Sequence, residues 1–248
     1  MAIIYGDNNN NTLKGTIGND VIYGLGGNDW LASINSGNDQ LVGGAGNDNY
    51  QVDSSLDVIS ENANEGVEWV FSRSDTYVLP SNVENIKLEV HALHGIGNNL
   101  NNSMEGSQET NILSGKGGND GIWGFGGNDQ IYGEIGNDRL YGGLGKDHLY
   151  GGSGADKFSY EYNVILGNIL IESPVGAGRD VIHDFSHYEE DKINLSSIDA
   201  DLTLPGDQAF TQGSYVNGIL TADVIGGDDI QIELTGAPYL DLDYDIIL

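Results

Sequence analysis

The chain has 248 residues, with 9 Lys and Arg against 38 Asp and Glu, a net charge of -29, and 38 Gly but no Cys. So few basic residues cannot neutralise a phosphate backbone, which excludes nucleic acid as an expected partner. No apolar run reaches the roughly 18 residues that span a bilayer, and without cysteine there is neither a disulfide framework nor a thiolate metal site. The apolar share, 38%, is low for a globular domain, so folding needs something that offsets self-repulsion. Asp, Asn and backbone carbonyls offer only oxygen, which suits a hard divalent cation. The opening MAIIYGDNNN lacks a basic stretch followed by an apolar one, so no cleavable signal peptide is expected.

The first block runs from Gly6 to Gln51 in units of nine: GDNNNNTLK, GTIGNDVIY, GLGGNDWLA, INSGNDQLV and GGAGNDNYQ, with Ser33 as the one residue out of phase. Residues 52–96 then break the period. Val67–Ser72, Thr76–Leu79 and Val83–Val90 are rich in β-branched and aromatic residues, and turn-like Ser-Asp and Pro-Ser steps separate them. They read as irregular β coils continuing the same stack. His91 and His94 follow without any HExxH pattern and read as surface residues.

From Gly97 the period returns without insertion to Ser159: GNNLNNSME, GSQETNILS, GKGGNDGIW, GFGGNDQIY, GEIGNDRLY, GGLGKDHLY and GGSGADKFS. Across the twelve units the sixth position is Asp20, Asp29, Asp39, Asp48, Asp120, Asp129, Asp138, Asp147 or Asp156, or else Asn11, Asn102 or Asn111. The eighth is always apolar, from Leu13 and Ile22 to Leu149 and Phe158. Each unit therefore reads as a six-residue glycine-rich turn and three residues of strand with one side chain inward. Strands that short need stacking: each pairs with the one two units away, and the eighth positions form a continuous core. Carboxylates in register one strand spacing apart repel strongly unless something neutral or cationic intervenes, so metal binding is the expected purpose.

After Ser159 the register is lost. GILTADVI and DIQIELTG alternate as antiparallel strands do and predict a β-sandwich-like closing cap. Position nine carries Trp123, Tyr132, Tyr141 and Tyr150, which should face outward as two aromatic ladders. Such ladders stabilise strand stacking or offer a ligand surface for sugar rings. Neither HExxH nor GxSxG occurs, and there is no cysteine nucleophile, so no catalytic constellation is expected. His148, His183 and His187 lie near acids as any histidine in this chain would.

The units GGxGxDxUx resemble the repeat of the RTX (repeat-in-toxin) family. That resemblance implies an all-β, right-handed parallel β-roll in two blocks, residues 1–51 and 97–159, with 52–96 as an intervening β segment. It also implies Ca2+ shared between turns i and i+2, hence pairs Asp120/Asp138, Asp138/Asp156, Asp129/Asp147, Asp20/Asp39 and Asp29/Asp48. Carbonyls of Gly118, Gly127, Gly136 and Gly145 would complete them, about five ions in all. Asn11, Asn102 and Asn111 depart from the pattern and imply weaker or empty sites. The run from Asp57 to Leu88 resembles a spacer between RTX blocks. GRDVIHDFSHYEEDKINLSSID resembles the serralysin-type C-terminal domain, implying residues 160–248 as a cap, with Asp184 and Asp191 at positions that can take calcium and Asn194 in place of a usual Asp. The ending Asp245-Ile246-Ile247-Leu248 resembles the uncleaved signal of type I secretion substrates. Together these imply a secreted, extracellular, non-catalytic module that meets the type I secretion machinery and folds on Ca2+. The alternatives are a polysaccharide-binding accessory module, similar to those of alginate epimerases, and an enzyme without a recognisable motif.

Overall fold

The computed structural model describes residues 1–34, 36–165, 168–171, 178–197, 210–224, 230–235 and 240–247. The chain winds as a parallel β-solenoid, alternate strands falling on opposite faces. Ile122 stands beside Leu140 and Ile131 beside Leu149, so each strand pairs two units on. The eighth positions stack inside: Ile22, Leu31, Leu41 and Tyr50, then Met104, Leu113, Ile122, Ile131, Leu140, Leu149 and Phe158 are fully buried. Leu13 is only partly covered, because its strand Thr12–Lys14 lies at the edge of its sheet.

Three-residue strands are found at Ser103–Glu105, Ile112–Ser114, Gly121–Trp123 and Arg139–Tyr141. Val21–Gly26, Gln130–Ile135 and His148–Ser153 run to six. The ladder there continues into the next unit's turn, where Glu134 pairs with Gly152 and Ile135 with Ser153.

Among the described residues, one face is a 12-stranded sheet that passes through the insert without interruption. Asn49–Val52, Trp69–Ser72, Asn85–Leu88 and Ser103–Glu105 pair in succession, and Val70 and Ile86 carry the core column across. On the other face the ladder ends at Val58–Ile59 and a new sheet starts at Thr76–Val78. The expected insert strands are thus present, each trimmed by one or more residues.

The cap differs from the expected sandwich. Ile219–Val224 and Ile230–Leu234 are antiparallel as predicted, with Leu220 opposite Ile232. Ile230–Leu234 then pairs in parallel with Val181–Ile182, so these strands lengthen the roll's own sheet and form no separate layer. The apolar edge left by the last coil is covered by adding strands in plane, which needs no second core. Ile246–Ile247 likewise joins Lys192–Ser197 in parallel. Leu248, and Asp199 of the C-terminal motif, lie outside the described residues.

Candidate metal centre

Each glycine-rich turn directs its sixth side chain back under its own backbone, and the turns stack into lanes. The lanes are stitched by one repeated hydrogen bond, from the amide of one sixth residue to Oδ1 of the next in the lane. Asp120 donates to Asp138 at 2.8 Å, Asp138 to Asp156 at 2.9 Å and Asp129 to Asp147 at 2.8 Å. In the first block Asp20 donates to Asp39 and Asp29 to Asp48, both at 2.7 Å. All five expected pairs are therefore brought together. The Asp20/Asp39 pair keeps its register across the extra residue at Ser33, whose buried hydroxyl donates to Asp57. Asn102 and Asn111 head the second block's lanes, donating to Asp120 and Asp129.

The second oxygen of these carboxylates is the informative one. Oδ2 of Asp29, Asp48, Asp120, Asp129, Asp138, Asp147 and Asp156 is buried and accepts no hydrogen bond. A buried acceptor left unpaired costs about 1–3 kcal/mol, and here the cost recurs along each lane. Position one explains where these oxygens point. A β-carbon at Gly133 would collide with Asp138 Oδ2 and with the Gly151 carbonyl, and one at Gly124 with Asp129 Oδ2 and the Gly142 carbonyl. Carboxylate and carbonyl oxygens thus converge on space that only glycine leaves open. Gly118, Gly127, Gly136 and Gly145 all have positive φ, from 108° to 141°.

Burial dominates the electrostatics. It raises the carboxyls of Asp120, Asp129, Asp147 and Asp156 to about 7, ahead of repulsion from lane neighbours where that contributes. Asp48 and Asp191 rise to about 6 for the same reason, and Asp39 and Asp138 also rise. Asp20, at the open end, is instead lowered by amide donation from Ala2. A hard divalent cation fits this donor set: oxygen only, anionic, unpaired, with carbonyls alongside. Among the described residues no three acidic or imidazole side chains gather closely enough to hold an ion by themselves, so backbone carbonyls are a necessary part of any site.

Asp184 and Asp191 also meet the second block. Asp184 accepts the amides of Gly151 and Gly152, and Asp191 accepts that of Asp156 at 2.9 Å. Sequence reasoning passed over Asp57 and Asp180, which close the other lanes by accepting the amides of Asp39 and Asp147. Their signal was the shared tripeptide Asp-Val-Ile, at 57–59 and 180–182.

The position-nine aromatics are half-buried on the outer faces. Trp123 stacks on Tyr141 with centroids 5.1 Å apart, Tyr132 on Tyr150 at 4.6 Å, and Tyr150 on His183 at 4.2 Å. Their faces are spent on each other, which leaves edges for any ligand. A groove of about 640 Å³ beside Trp123 and Tyr141 is also lined by Arg139, Lys157 and Lys192. His94 bonds Thr76, His148 bonds His183, and His187 bonds Asp245, so these histidines have structural partners.

A parallel β-solenoid whose glycine turns hold registered, unpaired carboxylates defines a class of cation-dependent repeat protein. The profile of the RTX calcium-binding nonapeptide repeat (4 copies) matches residues 5–33, 35–50, 96–124, 105–140 and 123–158. The chain therefore carries RTX calcium-binding repeats, over somewhat less than half its length, and is a Ca2+-binding β-roll module. It is 33% identical over 102 residues to the endo-1,3-1,4-beta-glycanase ExsH of Rhizobium meliloti (strain 1021), covering 41% of this chain and 20% of that protein. Among solved structures it is similar to the AlgE6R3 subunit of the Azotobacter vinelandii mannuronan C5-epimerase, at 24% identity, with 61% of this chain and 80% of that one covered and a TM-score of 0.28. The extracellular lipase LipA from Serratia marcescens matches at 15% identity over 99% of this chain and 40% of that one, with a TM-score of 0.20.

Proposed function

We propose that this is a secreted, non-catalytic module that folds on binding extracellular Ca2+ after type I secretion. The observation that carries the reading is the row of buried carboxylate oxygens without partners, in a chain of charge -29. Without a cation, folding must bury those charges unpaired or hold protons on them, and the chain stays expanded enough to thread an exporter. At extracellular calcium, sites of about 10⁻⁴–10⁻³ M affinity fill and folding follows. Residues 1–51 and 97–159 carry the ions in this reading. Residues 52–96 bridge them, and the segment from residue 160 onward is read as a serralysin-type closing cap.

The ligands in this reading are Asp20, Asp29, Asp39, Asp48, Asp120, Asp129, Asp138, Asp147 and Asp156, with Asn111, Asp184 and Asp191 as lane ends. Loop carbonyls that include Gly118, Gly127, Gly136 and Gly145 complete the shells. The test is a Ca2+ titration of metal-stripped protein followed by far-UV circular dichroism. A cooperative coil-to-β transition, absent with equal Mg2+, is the expected result. A chain already β-folded in chelator would sink the switch.

A second reading, attachment to an acidic polysaccharide, draws on the likeness to a glycanase and on the groove beside Trp123 and Tyr141. Three of the chain's nine basic residues line that groove, beside Asp120, Asp138, Asp156 and Glu190, so Ca2+ on those carboxylates would have to bridge to the ligand. Retardation in an alginate-containing gel that is lost in Arg139→Ala/Lys157→Ala would support it.

A further inference from the structure

The acidic residues that fill this chain avoid one part of its surface. The first five strands of the 12-stranded sheet, Thr12–Lys14, Trp30–Ser33, Asn49–Val52, Trp69–Ser72 and Asn85–Leu88, contain no Asp or Glu, although the chain has 38. Two of the chain's three tryptophans lie there instead. Leu31, Tyr50, Val70 and Ile86 point into the core and are fully buried. Alternation along each strand therefore turns Trp30, Asn49, Gln51, Trp69 and Phe71 outward, and all five are half-buried.

The register fixes their spacing. Trp30 stands beside Asn49 and Asn49 beside Trp69, with Gln51 beside Phe71. The two tryptophans thus share one row, two strand spacings or about 10 Å apart at the backbone. Trp30 and Phe71 belong to strands that are not neighbours, yet their ring centroids are 5.1 Å apart with planes inclined at 33°. Trp69 and Phe71 are 6.2 Å apart at 30°. Rings that meet across the intervening strand Asn49–Val52 lean along the sheet instead of standing on it. Ala32, outward on Trp30's own strand, is fully buried, so larger side chains cover this part of the face. The ladders elsewhere differ: Trp123 and Tyr141, like Tyr132 and Tyr150, come from adjacent strands and stack within 13° of parallel. Support of a strand pair explains those ladders. It does not call for three rings laid across a strand between them.

We infer that Trp30, Trp69 and Phe71, with the side-chain amides of Asn49 and Gln51, bind an extended neutral glycan of equatorially linked sugar rings. Such rings carry flat C–H faces, which pack on aromatic side chains, and a rim of hydroxyls that amides can hydrogen-bond. Gln51 already donates to Glu89, which leaves its carbonyl as the acceptor. A linear chain of these sugars turns the same face to one side at alternate rings, a repeat close to the two-strand interval between Trp30 and Trp69. Charge selects the neutral class. Lys14 is the one cation on the first four strands, and Lys87 on the fifth is paired with Glu105. A polyanion would be repelled by a chain of charge -29 and find little here to offset it. The patch is separate from the groove beside Trp123 and Tyr141, whose Arg139, Lys157 and Lys192 have no counterpart in it.

Native gels containing hydroxyethylcellulose, a soluble neutral β-1,4-glucan, test this on the full chain in saturating Ca2+. The natural chain should be retarded. Trp30→Ala/Trp69→Ala should bind about tenfold more weakly or worse, with its calcium-dependent circular dichroism kept. No retardation of the natural chain overturns the proposal, and so does a folded double variant retarded as before. Retardation by alginate alone overturns it too, while leaving the groove's reading in place. A dimer that the double variant cannot form and that the glucan does not dissociate would give the patch to a second copy and refute the glycan. Should the double variant not fold, Trp123→Phe leaves Trp30 and Trp69 as the only tryptophans. Hydroxyethylcellulose should then shift their emission and shield them from acrylamide, and unchanged emission and quenching refute the site.

Discussion

Asp138 Oδ1 accepts the amide of Asp120 at 2.8 Å, while Oδ2 of the same buried carboxylate accepts nothing. One oxygen holds the fold and the other is left for a ligand, so the two roles can be separated by mutation. Asp138→Asn keeps an acceptor for the Asp120 amide and removes the charge. It should raise the calcium concentration at the folding midpoint without harming the metal-free state. Asp138→Ala also strands the Asp120 amide, which adds a loss of about 1–3 kcal/mol. Calcium-dependent circular dichroism combined with urea unfolding reads both.

Acid should substitute in part for calcium. Burial raises Asp120, Asp129, Asp147 and Asp156 to about 7, Glu61 to about 8 and Glu68 to about 9, against 3.8 to 4.5 for the free groups. Between these values the folded chain holds more protons than the unfolded one, so metal-free stability is greatest at about pH 4 and falls as pH rises toward 9. In chelator, lowering the pH from 8 to 5 should increase β signal. With calcium present the same change should weaken ion binding, because protons compete for the same oxygens. A metal-free chain that loses β structure on this acidification would contradict the account.

Position four leaves no room for a side chain where another turn of the lane stacks beneath it, as at Gly136. Gly136 has φ 141° and a β-carbon there would overlap the Gly118 carbonyl oxygen. Gly136→Ala should cost about 2–4 kcal/mol, read as a lowered thermal midpoint in saturating Ca2+. At Gly15 the nearest atoms would be 3.4 Å away, so Gly15→Ala should change that midpoint little.

Tyr150 lies between Tyr132 and His183, stacked on both. If the ladder serves the fold, Tyr150→Ala should lose about 0.5–1.5 kcal/mol for each contact and leave the calcium count unchanged. A variant as stable as the natural chain, but no longer retarded by polysaccharide, would move the ladder to ligand binding.

The roll was legible because each of its coils obeys one rule. A sixth-position Asp or Asn and an eighth-position apolar residue recur with a fixed period, at every turn of the two blocks. Asp57 and Asp180 were passed over for the opposite reason. Their coils depart from nine, and their place is set by the strands that follow them, Val58–Ile59 and Val181–Ile182, which pair with Gln40–Leu41 and His148–Leu149 across the stack. The cap strands were readable from alternation, but alternation does not say which edge they join. That was decided by pairing with Val181–Ile182.

The unbroken sheet through Trp69–Ser72 and Asn85–Leu88 makes the insert a conductor of register. A solenoid orders by propagation from a nucleus to its nearest neighbour. With one face continuous, whichever block nucleates first presents the other with a finished strand edge in phase. The interruption on the opposite face does not stop that spread. Two calcium-loaded blocks joined in this way should melt as one cooperative unit, although each has its own set of repeats.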